Sequence, residues 1–372
     1  MKKLIFALLM IFILILSLSG CDGSDPKPVR NASEGFEYLI NPDGTCYISG
    51  MGECKDTELI LPNCSPDGHR VVGIADFAFE GSDITKVVIP EGVTVIGNCA
   101  FEGCKELTEV ILPKGLRMIK ELAFGSCRKL EQIELPDGLE VVGPYAFSSC
   151  NSLLEISFPD STRFIGANAF AYCTELTSAR LSENCVDIPT SLFVDCEKLK
   201  TVVLSPKTEI IGYKAFSGCY SLEEMFIPDT VTKIGDYAFS GCTKAFTDLV
   251  IPDGVREIGN SAFSRCKTVR SLKLGSKVEK IGEGAFNSCN NLTSVDLRGV
   301  KELGNYAFGS CEKIESVIFD GAIESIGQDA FYLTWLKNIY YTGSEEGFAL
   351  IDIDEENAAL FKATVYCNYN PD

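Results

Sequence analysis

The chain has 372 residues, 46% of them hydrophobic and 23% charged, with a formal net charge of −19. That is a globular composition without low-complexity blocks, and its acidity argues against a phosphate-backbone partner, which would need a basic patch. His69 is the only histidine, so repeated histidine-based chemistry is excluded as well.

Met1-Lys2-Lys3 opens a basic start, followed by an uninterrupted apolar run from Leu4 to Leu16. The run is short for a membrane-spanning helix, which needs about 20 residues, and suits the core of an export signal. It ends in Leu18-Ser19-Gly20-Cys21, small residues before a cysteine, which resembles a bacterial lipobox. This predicts a signal peptide over 1–20 and lipid on the Cys21 thiol, hence an extracytoplasmic, membrane-anchored protein at the cell surface. Without Lys2 and Lys3 the mature chain carries −21, a charge that suits solubility outside the cell. Residues 21–33, rich in turn formers from Asp22 to Pro28, read as a lipidated tether.

An N-terminal cap is expected over 34–71. Phe36 to Ile40 and Thr45 to Ile48 flank Asn41-Pro-Asp43-Gly44, the pattern of a hairpin around a glycine-containing turn. Leu59-Ile60-Leu61-Pro62 looks like a first repeat strand without a predecessor. Cys46, Cys54 and Cys64 lie here. A disulfide such as Cys46–Cys54 is compatible with export, but spacing does not settle pairing for these three or for Cys99, Cys185 and Cys367.

Residues 72–342 carry a repeat. Its phenylalanines are Phe79, Phe101, Phe124, Phe147, Phe170, Phe193, Phe216, Phe239, Phe263, Phe286, Phe308 and Phe331, 23 residues apart with three one-residue deviations. Such regularity marks stacked structural units rather than separate domains. Each unit begins with Leu-x-x-Val-x-Leu-Pro, as in Leu107 to Pro113 and Leu222 to Pro228, a strand that proline ends. A second strand-like piece follows, Val-x-x-Ile-Gly, as in Val231 to Gly235, where glycine is expected to permit a tight corner. The Ala-Phe pair then plugs the interior, each ring stacking on the next. Departures from the pattern are Leu192 in place of alanine, Pro189 in place of glycine, an extra residue around Lys244-Ala-Phe246, and Thr334 where ten other units have cysteine.

Ten cysteines stand three residues after the Phe, from Cys104 to Cys311, one to a unit. Metal sites want clustered ligands, and parallel stacked side chains do not suit the torsions of a disulfide. The expectation is a ladder of buried, reduced thiols acting as small hydrophobes, with no metal and no cofactor. Nucleophile-elbow, phosphate-loop and dinucleotide motifs are missing. The Asp352 and Asp354 pair has little weight on so acidic a chain, and no catalysis is expected.

On the first strand, one residue per unit faces outward between the last two inward positions. In three consecutive units this residue is Val203, Phe226 and Val250, an apolar strip bordered by Thr201, Glu224 and Asp248. An exposed aromatic among apolar neighbours is the usual centre of an interface, although β-branched residues also simply suit sheets. At the exit, 343–372, a helical stretch near 356–361 and a strand Thr364-Val365-Tyr366 should form a C-terminal cap, with Phe348, Leu360 and Phe361 as plugs.

Taken together, the repeated Ile-Gly-x-x-Ala-Phe-x-x-Cys, the Asp43-Gly44-Thr45 hairpin before it and Tyr341-Thr-Gly-Ser344 after it resemble the BspA-like class of bacterial leucine-rich repeat proteins. The resemblance covers about 72–342. It implies a mostly β, right-handed leucine-rich-repeat solenoid with a parallel concave sheet, about twelve 23-residue turns, capped at both ends. It also implies a surface role, some relatives being adhesins for host or bacterial proteins. The expected function is therefore protein–protein interaction by a monomeric surface lipoprotein, probing a ligand whose identity the residues do not reveal. Capture of glycans or nutrients, and an envelope spacer without a ligand, are the alternatives.

Overall fold

A computed structural model describes residues 29, 31–223 and 225–370. The signal peptide, Cys21 and Glu224 fall outside the described residues. The chain divides into two compact units, one ending at Ile165 and the other starting at Gly166, and each is a parallel-sheet solenoid.

The first unit starts with an antiparallel hairpin of Glu37–Ile40 and Thr45–Gly50. Its turn is held by the Asp43 carboxylate, which accepts from the Thr45 amide at 2.9 Å. Thr45–Gly50 then takes Arg70–Ile74 as a parallel neighbour. Val95–Ile96, Met118–Ile119, Val141–Val142 and Phe164–Ile165 follow in register, one strand to a turn. A second ladder runs through Glu58–Ile60, Lys86–Val88 and Glu109–Ile111, so Leu59 does belong to a first repeat strand.

In the second unit the two-residue strands form one unbroken ladder of eight, from Asp187–Ile188 to Asp352–Ile353. The three-residue strands are interrupted. Ser178–Arg180 pairs with Thr201–Val203, and Asp248–Val250 with Ser271–Lys273. Ser294–Asp296, Ser316–Phe319, Asn338–Tyr341 and Thr364–Tyr366 form a separate run of four. Both ladders thus continue into the C-terminal segment. Two short helices connect their last strands: α1 (Glu345–Phe348), capped by the Ser344 hydroxyl, and α2 (Ala358–Lys362).

The phenylalanines stack as expected. Parallel strands lie about 4.8 Å apart, and the rings follow them: Phe79, Phe101, Phe124 and Phe147 have centroids 5.0, 5.1 and 5.3 Å apart, nearly parallel. In the second unit most steps from Phe170 to Phe331 lie between 5.1 and 5.5 Å. The exceptions are Phe170–Phe193 at 6.0 Å and Phe193–Phe216 at 5.8 Å, tilted by 33° and 22°. They bracket the unit in which buried Leu192 replaces alanine, and the larger side chain wedges the rings apart.

The glycine of Ile-Gly is not the corner. Gly259 has no positive φ. A Cβ there would meet Asp236 N and Gly235 C of the preceding turn at 2.6 Å, so glycine is required by close approach of two backbones. The left-handed corners fall instead on the residue before Ala and the residue before Cys, such as Ser261 (φ 52°) and Arg265 (φ 62°). They are held by hydrogen bonds between turns: the amides of Ser261, Phe263 and Arg265 donate to the carbonyls of Glu283, Ala285 and Asn287 at 2.7–2.8 Å.

The thiols of the ladder are buried and reduced, and they do more than fill space. Cys242 donates to the Phe216 carbonyl of the preceding turn at 3.2 Å, and the same bond recurs from Cys104 to Phe79 and from Cys219 to Phe193. Burial pushes the thiols of Cys127, Cys196, Cys219 and Cys242 well above their ordinary pKa. At the exit, Leu360 is buried, but Phe361 is 61% exposed. One helical turn can bury one face only, and Leu360 occupies it. Phe348 is half-buried, edge-on to Tyr341 at 5.4 Å.

Candidate partner-binding face

The residues of the apolar strip occupy consecutive turns of the second unit. Val203 ends the strand Thr201–Val203 and Val250 ends Asp248–Val250. Alternation along a strand sends their neighbours Val202 and Leu249 inward and turns them outward. Val203 is 57%, Phe226 71% and Val250 49% exposed. Register places Arg180 beside Val203 at one end of the strip and Lys273 beside Val250 at the other. Both cations are exposed, so the apolar patch has a positive flank at each end.

Phe226 differs from its neighbours in having no strand beneath it. The cause lies in the following turn, where the extra residue near Lys244-Ala245-Phe246 swings a second ring into the core. Phe246 is buried edge-on against Phe239 at 5.3 Å and Phe263 at 5.6 Å. The Met225 amide bonds to the displaced Ala245 carbonyl at 2.9 Å rather than continuing a ladder. Met225 and Ile227 stay buried on either side, which leaves the Phe226 ring no inward place. Of the border residues, Thr201 and Asp248 are exposed, and Asp248 accepts a hydrogen bond from the Ser271 hydroxyl. Glu224 is outside the described residues.

Other aromatic features escaped sequence reasoning. Tyr213 and Tyr237 meet edge to face at 5.9 Å, and the Lys214 ammonium lies 5.1 and 5.5 Å from their ring centres, within range of a cation–π attraction. Tyr340 packs against Tyr366 at 5.3 Å and against Tyr369 at 4.6 Å. Tyr237 stands at the corner before Ala238, while Tyr213 precedes the corner residue Lys214 and Tyr340 lies on the strand Asn338–Tyr341, so no single position of the repeat signalled them. Among the described residues no group of three or more His, Cys, Asp or Glu side chains is placed to hold a metal ion.

Comparison with known proteins agrees with this architecture. The family model described as "BspA type Leucine rich repeat region" matches residues 72–153, 119–246 and 243–348. A leucine-rich repeat protein from Bacteroides ovatus is 26% identical, with a TM-score of 0.63 over 90% of this chain and 98% of that one. A leucine-rich cell surface protein from Faecalibacterium prausnitzii is 24% identical, with a TM-score of 0.50 over 90% and 99%. The pneumococcal vaccine antigen PcpA is 18% identical, with a TM-score of 0.52 over 91% and 96%. The last two share the fold. No curated protein matches. The matched repeats span most of the chain, which belongs to the BspA-type leucine-rich repeat family.

Proposed function

We propose that this chain is a surface lipoprotein whose solenoid binds a protein partner, serving adhesion to host or bacterial surface proteins. In this reading residues 1–20 are removed on export, Cys21 carries lipid, 21–33 form the tether, 34–71 and 343–372 cap the array, and 72–342 present the binding face. The reading rests chiefly on one observation, the exposed ring of Phe226 between Val203 and Val250, with charged flanks. A solvent-facing aromatic surrounded by apolar side chains is what a buried interface centre needs before its partner arrives. Thr201, Glu224 and Asp248 form the polar rim, and Arg180 and Lys273 steer an acidic partner onto it. No catalytic step is assigned to the chain.

The test screens the mature protein against host matrix proteins and a glycan array, then repeats each positive with Phe226→Asp. A folded Phe226→Asp variant should lose about tenfold or more in affinity for the protein partner. Unchanged binding by that variant removes the strip as the site, and binding confined to the glycan array overturns the protein-partner reading.

A further inference from the structure

The turns of the second unit hold one another by a repeated set of three hydrogen bonds, and the last turn lacks its half of the set. In the turn before it, the amides of Tyr306, Phe308 and Ser310 donate to the carbonyls of Gln328, Ala330 and Tyr332 at 2.9, 2.8 and 2.6 Å. The corresponding amides of the last turn belong to Asp329, Phe331 and Leu333. Among the described residues they have no acceptor. Phe331 is almost fully buried, and an unpaired amide in such a place is costly unless something else accepts from it.

Beside this edge the structure has a cleft of about 450 Å³ whose lining includes Asp329 and Leu333, while Phe331 is buried behind them. Tyr332, Leu333 and Trp335 line one side, and Ala358, Ala359 and Lys362 of α2 the other. The cap does not close it. Asn357, just before α2, is buried and accepts from the intervening Ala330 amide at 2.9 Å, while its own amide group is spent on Gly327 and Asp354 carbonyls. It passes over the three alternate amides. Trp335, the sole tryptophan, is 69% exposed at the mouth. Lys337, paired with Glu315 at 2.8 Å, and Lys362 bring positive charge to the lining, where Asp329 is the acid.

We propose that this cleft binds an extended peptide segment of another protein, one carrying an aromatic side chain and carboxylates. The unpartnered amides of residues lining the cleft, Asp329 and Leu333, are four residues apart, a spacing at which the carbonyls of an extended polypeptide backbone recur on one side. Every earlier turn of the unit is docked in this way, so the site continues an interface already built into the fold. Trp335 offers the stacking surface for the aromatic side chain, and Lys362, with Lys337 held by Glu315 beside it, complements the carboxylates. The cleft size is within the range of ligand sites. This site is separate from the Val203–Phe226–Val250 strip and does not depend on it.

The probe is the blocked hexapeptide Asp-Phe-Ala-Phe-Glu-Gly, the sequence of residues 76–81. It presents carbonyls at residues one and five, the spacing of Asp329 and Leu333, together with two acids. Titrated into the mature protein, it should change the fluorescence of Trp335 saturably, with a dissociation constant of about 10–500 µM. Lys362→Glu, an exposed change on α2, and a peptide with lysine in place of both acids should each weaken binding about tenfold. Trp335→Ala should abolish the calorimetric signal with its melting unchanged, and Phe226→Asp should have no effect. Neither a fluorescence change nor heat up to about millimolar peptide overturns the proposal. Equal affinity for the acidic and lysine peptides does so as well. Self-association in sedimentation that Trp335→Ala removes would assign the edge to a second copy of the chain and overturn it too.

Discussion

Two residues two positions apart in sequence, Gly259 and Ser261, should respond to substitution with opposite signs. A Cβ at Gly259 would lie 2.6 Å from Asp236 N and Gly235 C, backbone atoms that cannot swing away. Relief to ordinary contact, about 3.4 Å or more, requires the two turns to part locally by nearly 1 Å. Two hydrogen bonds cross this point, from Gly259 N to Ile234 O at 3.1 Å and from Tyr237 N to Asn260 O at 2.8 Å. Weakening both, together with the strain of over-packing, costs Gly259→Ala about 2–4 kcal/mol. Ser261 is held at φ 52°, where a side chain costs about 1–2 kcal/mol. Glycine's greater freedom in the unfolded chain takes back about 0.5–1 kcal/mol, so Ser261→Gly should gain about 0.5–1 kcal/mol. Gly284 occupies the equivalent corner one turn later, at φ 58°, and shows that the position accepts it. Thermal unfolding by circular dichroism should place Gly259→Ala about 5–10 °C below the wild type and Ser261→Gly about 1–3 °C above it. A neutral Gly259→Ala, or a Ser261→Gly that destabilises as much, would refute the assignment of close approach to one residue and of the corner to the other.

The buried thiols should resist iodoacetamide in the native protein and react after denaturation; labelling of few of the ten even when unfolded would show them oxidised. Above their ordinary pKa, about 8.5, the unfolded chain releases thiol protons that the fold retains, so the unfolded state binds fewer protons and stability falls. Their contribution should be constant below about pH 8 and decline above pH 9, by up to about 1.4 kcal/mol per thiol per pH unit; a urea midpoint unchanged between pH 8 and 10 would contradict this. For the proposed anchor, Cys21→Ala expressed in a bacterium should leave a protein that no longer partitions with membranes, and continued partitioning would rule the lipid out.

The period of the phenylalanines was readable because no turn buries its ring alone. Phe239, fully buried between Phe216 and Phe263, needs both neighbours, and that mutual need preserves the spacing. Glycine was readable as a requirement but not as a reason, since a sequence does not say whether φ or space excludes a Cβ. The true corners left no mark at all. Phe77, Cys99, Leu122 and Tyr145 share no chemistry, yet all have positive φ, because hydrogen bonds to the next turn impose the conformation whatever the residue. The cysteines read correctly as buried, but their bond to the Phe carbonyl of the preceding turn needed the stacking geometry. The exposure of Phe226 was visible as a strip, while the loss of its strand was not, since the cause lies about 20 residues later in the extra residue beside Phe246. The C-terminal cleft was hidden for a related reason. Each turn is completed by the one that follows, so an altered successor reshapes the turn before it. Phe226 precedes the turn with the extra residue, and Asp329, Phe331 and Leu333 precede a turn whose strands continue but whose corner is replaced by α2. In this fold a departure in sequence and the surface it creates are one turn apart, and both candidate sites stand on the earlier side of the departure.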